Sequence, residues 1–328
     1  MNLRPPGYEP GELPDCSTPR RGVHYTTVRR DFRLVPAGSG AFVMGTGIVS
    51  VALALDGEKT LSRTLFALAA AGWLISAAAA LGRARVPASL TGVAGTAVLG
   101  ARAALLGWGR VATVALALAV AMWLVLVPGL VRIPRERAVG TSFLVVVATE
   151  SIAVLAALVS QVEDARWLAT AAVAPLVLGL AVYPLVARRF DLREIAFGHG
   201  DQWVAGGALA IAALACAEVG AAATGALHTT LDPAALVVWL LAIGWLPVLG
   251  AGELRGPRRG FDLRRWATVF PVGMYAACSF LVAHVDAVGS IATFARVWAW
   301  VGLAVWLLAF AGAARRGMRL AAHYDPRR

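Results

Sequence analysis

Few side chains of this sequence could do chemistry in an apolar setting. Arg102, Glu150 and Glu218 lie within long apolar runs, and Phe270-Pro271-Val272-Gly273 sets an aromatic ring beside two helix-perturbing residues. An ionisable group inside such a run is costly, and it marks either a buried pairing or a route for something polar. Arg102 and Glu218 fall at similar depth in the outer halves of their runs. They can pair with each other, Arg102 can snorkel its guanidinium to lipid headgroups, or either can meet a ligand. Glu150 falls near mid-run, where a charged carboxylate repels a passing anion and a neutral carboxyl can donate a hydrogen bond to it; a carboxyl bonded between two helices does neither. Pro271 removes a backbone donor and kinks its helix at Phe270, and Gly273 leaves room for the ring to swing. An apolar ring in a narrow passage excludes water and hydrated ions.

Other chemistries find no footing. The five histidines (His24, His199, His228, His284, His323) have no spacing that would gather a metal. The cysteines (Cys16, Cys216, Cys278) are odd in number, and two of them sit in apolar runs. Nothing pairs a nucleophile with a base, and there is no glycine-rich phosphate loop. No catalytic residue, metal or cofactor is expected, and a membrane enzyme is a remote alternative.

The elements that hold these residues follow from hydropathy. Of 328 residues, 59% are hydrophobic and 15% charged, and the mean hydropathy of +0.71 is too high for a water-soluble domain. A helix needs roughly 20 mostly apolar residues to cross a bilayer. Ten such runs can be cut from the chain: 36–55, 61–81, 86–106, 111–131, 139–159, 167–186, 203–224, 233–249, 266–283 and 294–313. The expectation is an all-α integral membrane protein of ten transmembrane helices in five hairpins. One membrane domain, 34–316, lies between a Pro-, Gly- and Arg-rich disordered cytoplasmic tail, 1–33, and a short basic cytoplasmic tail, 317–328.

The formal charge of +11 raises nucleic-acid binding only to dismiss it. Of the 30 basic residues Lys59 alone is lysine, a bias that a GC-rich genome explains. The arginines sit in short loops, where they orient a membrane protein. Twenty-four basic residues fall on one side of the ten-run layout and six (Lys59, Arg63, Arg102, Arg110, Arg166, Arg296) on the other. Both termini are therefore placed in the cytoplasm of a bacterial cell, with the chain in the inner membrane.

Odd-numbered runs carry the irregular residues: Gly45, Thr46 and Gly47 in the first, Gly95 and Arg102 in the third, Glu150 in the fifth, Gly206, Gly207 and Glu218 in the seventh, Phe270, Pro271 and Gly273 in the ninth. Even-numbered runs carry Trp73, Trp123, Trp239, Trp245, Trp298, Trp300 and Trp306, as expected of indoles that face lipid or its interface. Small residues and ionisable groups are tolerated where a helix meets protein or lines water. This suggests an inner ring of odd helices, with these residues as pore-lining candidates, inside an outer ring of even ones. Close helix packing without any pore would also call for the glycines.

Three stretches add a resemblance: Phe42-Val43-Met44-Gly45-Thr46-Gly47, Gly200-Asp201-Gln202-Trp203-Val204 with Gly206-Gly207, and Phe270-Pro271-Val272-Gly273-Met274-Tyr275. In this order on ten runs, they resemble the tellurite-resistance and dicarboxylate transporter family, which includes the fungal malate permease, the sulfite efflux pump and the plant slow-type anion channels. The resemblance implies five hairpins around a central pore, a homotrimer, and a phenylalanine plug placed on Phe270. It implies transport of small anions, C4-dicarboxylates such as malate or succinate first and then sulfite, chloride or nitrate. Efflux of tellurite or other toxic compounds is the alternative.

Overall fold

The computed structural model describes residues 37–81, 89–130, 137–197, 200–256, 263–286 and 289–323; the tail expected at 1–33 lies outside them. Among the described residues ten long helices run α1 (Ala37–Leu55), α2 (Lys59–Leu81), α3 (Leu90–Leu105), α4 (Gly109–Leu130), α5 (Leu144–Val162), α6 (Arg166–Ala187), α7 (Trp203–Ala222), α8 (Ala226–Arg255), α9 (Trp266–Asp286) and α10 (Gly289–His323). A single helical turn, Glu194–Phe197, precedes α7, and 3-10 turns at Gly140–Phe143 and Leu263–Arg265 lead into α5 and α9. Among the described residues eight helices are long and apolar enough to cross a membrane; Ser39–Leu55 and Leu90–Leu105 are apolar but shorter. A hydrocarbon setting favours helices throughout, since each backbone donor must find its acceptor within the segment.

The ends differ from those expected for local reasons. Ser89 caps α3, its Oγ accepting from the Gly92 N–H at 2.9 Å, so the helix begins after the apolar run does. The residues ahead of α5 turn as a 3-10 helix, with Ser142 Oγ accepting from the Val139 N–H at 3.1 Å. By contrast α8 and α10 span 30 and 35 residues, because polar residues such as His228 and Arg315 extend a helix beyond its apolar run. The stretch assigned to a tail from residue 317 is thus helical as far as His323.

Three-residue connections join α1 to α2, α3 to α4, α5 to α6 and α7 to α8. The first three close as Schellman turns, with Glu58 N–H donating to Leu53 O, Trp108 N–H to Ala103 O and Ala165 N–H to Ser160 O. The residue that must take positive φ is Gly57 or Gly107 in the first two, and Asp164 in the third.

Each odd helix packs on the even helix that follows it, and the odd helices pack on one another in a closed round: α1 on α3, α3 on α5, α5 on α7, α7 on α9, and α9 on α1. More than three-quarters of the apolar window of α5, α7 and α9 is buried, against less than a third for every even helix. Glycines sit where ring helices touch. A Cβ added at Gly47 would meet Val98 Cγ1 at 2.8 Å, at Gly95 Val43 Cγ1 at 3.1 Å, at Gly207 Pro271 Cβ at 2.8 Å, and at Gly273 Ile48 Cγ2 at 2.8 Å.

Trp300 is exposed, as expected of a lipid-facing residue, but four of the other tryptophans turn their indole N–H to a ring helix. Trp73 of α2 donates its indole N–H to Thr96 Oγ1 of α3 at 2.8 Å, Trp123 of α4 to Thr149 Oγ1 of α5 at 2.9 Å, and Trp239 of α8 to Ser279 Oγ of α9 at 2.7 Å. Trp306 of α10 closes the round by donating to Thr46 Oγ1 of α1 at 2.9 Å. On α6 the same place is taken by Tyr183, whose hydroxyl donates to Ala205 O of α7 at 3.2 Å. Every even helix is thereby bonded through an aromatic side chain to the next odd helix in the round. Inside lipid an indole N–H without an acceptor is costly, and the ring hydroxyls supply one.

Candidate functional site

A cavity at the centre of the round is walled by all five odd helices. Its lining repeats one helical spacing, i, i+3, i+7: Ile48, Val51 and Leu55 on α1; Val98, Ala101 and Leu105 on α3; Ser151, Val154 and Leu158 on α5; Ile211, Leu214 and Glu218 on α7. Met274 and Leu281 of α9 keep the outer two steps of the same series. These positions share one face of a helix. Four helices place leucine at the last step, and α7 places Glu218 there. The cavity holds about 30 Å³, room for a water or two but not for a hydrated ion.

Two polar side chains interrupt this apolar wall. Ser151 Oγ donates to the Ala148 carbonyl at 2.8 Å. Glu218 accepts from Gln161 Nε2 at 3.3 Å; the pairing with Arg102 is not formed. Arg102 is buried instead at the end of α3, where its Nε donates to Ser62 Oγ of α2 at 2.9 Å. The Ser62 hydroxyl thus fixes the Nε edge of the guanidinium.

Of the expected pore-lining residues, Glu218 alone is in the cavity wall. Gly45, Gly47, Gly95, Gly206 and Gly207 face neighbouring helices, and Thr46 is turned to Trp306. Glu150 is fully buried, yet its carboxyl packs against Gly179 of α6, where no Cβ could fit. Neither of its oxygens has a hydrogen-bond partner among the described residues. It occupies the seam between α5 and α6, outside the lining of the central cavity.

Phe270 is fully buried in the core cluster that also holds Met44 and Met274. It stands four residues before Met274 on α9, one turn back along the same face. Pro271 lies inside α9 with its ring against Gly207, and it leaves the Ala267 carbonyl without a helical donor. Just before it, Thr268 Oγ1 donates to the Gly200 carbonyl at 2.9 Å. Gly200 has φ +110° and donates its N–H to Gln202 Oε1 at 2.9 Å. The Gly-Asp-Gln-Trp stretch therefore anchors the start of α9. Sequence reasoning missed Gln161 and the aliphatic wall, whose i, i+3, i+7 spacing any packed helix face can show.

Basic residues lie at both ends of the odd helices. Lys59, Arg63 and Arg102 line a pocket of about 220 Å³ by the C-terminal ends of α1 and α3. Toward the N-terminal ends, Arg137, Arg188, Arg189 and Arg193 line an open pocket of about 480 Å³. Arg137 pairs there with Asp191 at 3.3 Å. The Arg193 backbone N–H, and then Arg137, hold the Asp191 carboxyl below its ordinary pKa.

A closed round of buried helices around a narrow central cavity, with eight helices long and apolar enough to cross a bilayer among the described residues, fits a multi-pass membrane protein. The chain belongs to the voltage-dependent anion channel family (SLAC1), whose model matches residues 35–314, more than four-fifths of its length. Membership implies anion transport across a membrane. No curated protein matches the chain.

Proposed function

We propose that the chain carries small anions along the axis of its five odd helices, with all ten long helices crossing the membrane as five hairpins. C4-dicarboxylates such as malate and succinate are the first candidates, then sulfite, chloride and nitrate. The observation that carries this reading is the contrast between the mainly aliphatic cavity wall, which holds no basic residue, and the basic pockets at either end. Positive mouths concentrate anions, and an apolar constriction holds them back until it opens.

Phe270 is the proposed plug, because it continues the cavity face of α9 one turn inward. Pro271 and Gly273 are contact points against α7 and α1 on which that turn can rotate. Family resemblance supports a homotrimer, and the arginine distribution supports a bacterial inner-membrane protein with cytoplasmic termini. The 1–33 segment is then a cytoplasmic tail.

Purified protein in liposomes, loaded in turn with succinate, malate, sulfite, chloride and nitrate, tests the reading. At least one anion is expected to leave faster than from protein-free vesicles, with potassium retained. Flux of no anion, or equal flux of potassium, overturns it.

A further inference from the structure

The pocket beside the C-terminal ends of α1 and α3 holds three cations and no carboxylate in its lining. Lys59 and Arg63 are one turn apart on α2 and exposed, whereas Arg102 is 4% exposed. A hydroxyl pair positions the buried guanidinium: Ser62 Oγ donates to the Ser50 carbonyl at 2.7 Å, Ser50 Oγ to the Ser62 carbonyl at 2.7 Å, and Arg102 Nε to Ser62 Oγ at 2.9 Å. Among the described residues no partner takes its Nη1 or Nη2, and Arg102 is part of the pocket lining, so the two nitrogens that can grip an oxyanion are left available to one. None of the acids Asp56, Glu58 and Glu218 lines the pocket: Asp56 accepts from Trp300 Nε1 at 3.2 Å, Glu218 accepts from Gln161, and Glu58 is exposed.

A buried cation beside two others, without a counter-charge, is destabilising unless something anionic joins it. We propose that this pocket is an anion-binding site that takes a carboxylate or other small oxyanion, with Arg102 as the fixed ligand and Lys59 and Arg63 as mobile ones. Leu55 and Leu105 line both this pocket and the central cavity, so an anion held here is one residue's width from the passage. As an outer entry site it rests on the transport reading above. The same chemistry would hold the phosphate of a lipid headgroup, and two experimental arms separate the sources.

Wild type and Lys59→Gln/Arg63→Gln are placed in phosphatidylcholine nanodiscs and titrated with succinate and with sulfate, reading calorimetric binding and melting temperature. Wild type is expected to bind and to melt higher with the anion. The double variant should bind at least about tenfold more weakly, and without anion it should melt no lower than wild type, because like charges have been removed. Arg102→Gln, which keeps a donor for Ser62, should abolish binding. Equal binding by wild type and the double variant overturns the proposal. So does stabilisation seen only in phosphatidylglycerol nanodiscs, which would assign the pocket to a headgroup. Binding that is lost in the variants, from a wild type that passes no anion in liposomes, upholds the site and removes the transport reading instead.

Discussion

Replacing Phe270 by alanine separates the cost of removing a core side chain from the gain of removing a plug. The ring is fully buried, and truncating a buried phenylalanine in a packed core costs about 3–5 kcal/mol. The variant must therefore melt lower than wild type. The central cavity beyond it holds only about 30 Å³, so the space vacated one turn inward extends it toward the N-terminal ends of the ring helices and admits water. Each reduction of about 1.4 kcal/mol in the barrier to passage raises flux about tenfold. A succinate or chloride efflux assay in liposomes should show at least that increase for Phe270→Ala, and an intermediate one for Phe270→Leu. Met274→Ala widens a cavity that already exists and should change flux less. The reasoning is refuted if Phe270→Ala, eluting and melting as a folded protein, passes anions at the wild-type rate.

Other outcomes follow from the same geometry. Glu150→Gln should leave the pH dependence of flux as in wild type, because the carboxyl lies against Gly179 in the α5–α6 seam; a flux that becomes independent of pH would put Glu150 in the passage after all. In a version lacking Cys16, Cys216 and Cys278, single cysteines at Thr229 and Arg316, both exposed, should be labelled from opposite sides of intact cells, and labelling of both from outside defeats the topology. Asp191 has a folded pKa below its ordinary 3.8, so its tie to Arg137 and Arg193 supports the 188–193 loop fully above that value and is lost as pH falls through the lower folded one. Hydrogen exchange in the loop should rise in that acid window for wild type. Asp191→Asn should exchange fast at neutral pH already, and an unchanged neutral rate would show that the tie does nothing.

The membrane helices were legible because a bilayer demands length and apolarity, and a linear sequence displays both. Their ends were less so: nothing in the apolar runs tells that His228 or Arg315 continues a helix into water. Glycine was informative about protein contact but silent about what lies opposite, since Gly47 facing Val98 and a glycine facing a lumen read alike. Arg102 and Glu218 were identified as the unusual charges, while their partners, Ser62 and Gln161, are ordinary residues on other helices that no spacing connects to them. The cavity wall escaped notice for a related reason, because aliphatic side chains such as Val51 and Leu214 carry no chemical signature.

The chain of aromatic bonds around the helices has a bearing on biogenesis. Helices enter the bilayer in order of synthesis, and the bonds from Trp73, Trp123, Tyr183 and Trp239 each reach the helix that emerges next or soon after. The bond from Trp306 reaches back 260 residues to Thr46. It forms only after α10 has left the ribosome, so until then Thr46 lacks its indole donor. A truncation before α10 therefore leaves α1 without the bond to Trp306 even where α9 already packs on α1, whereas each earlier bond is made to the helix that emerges next.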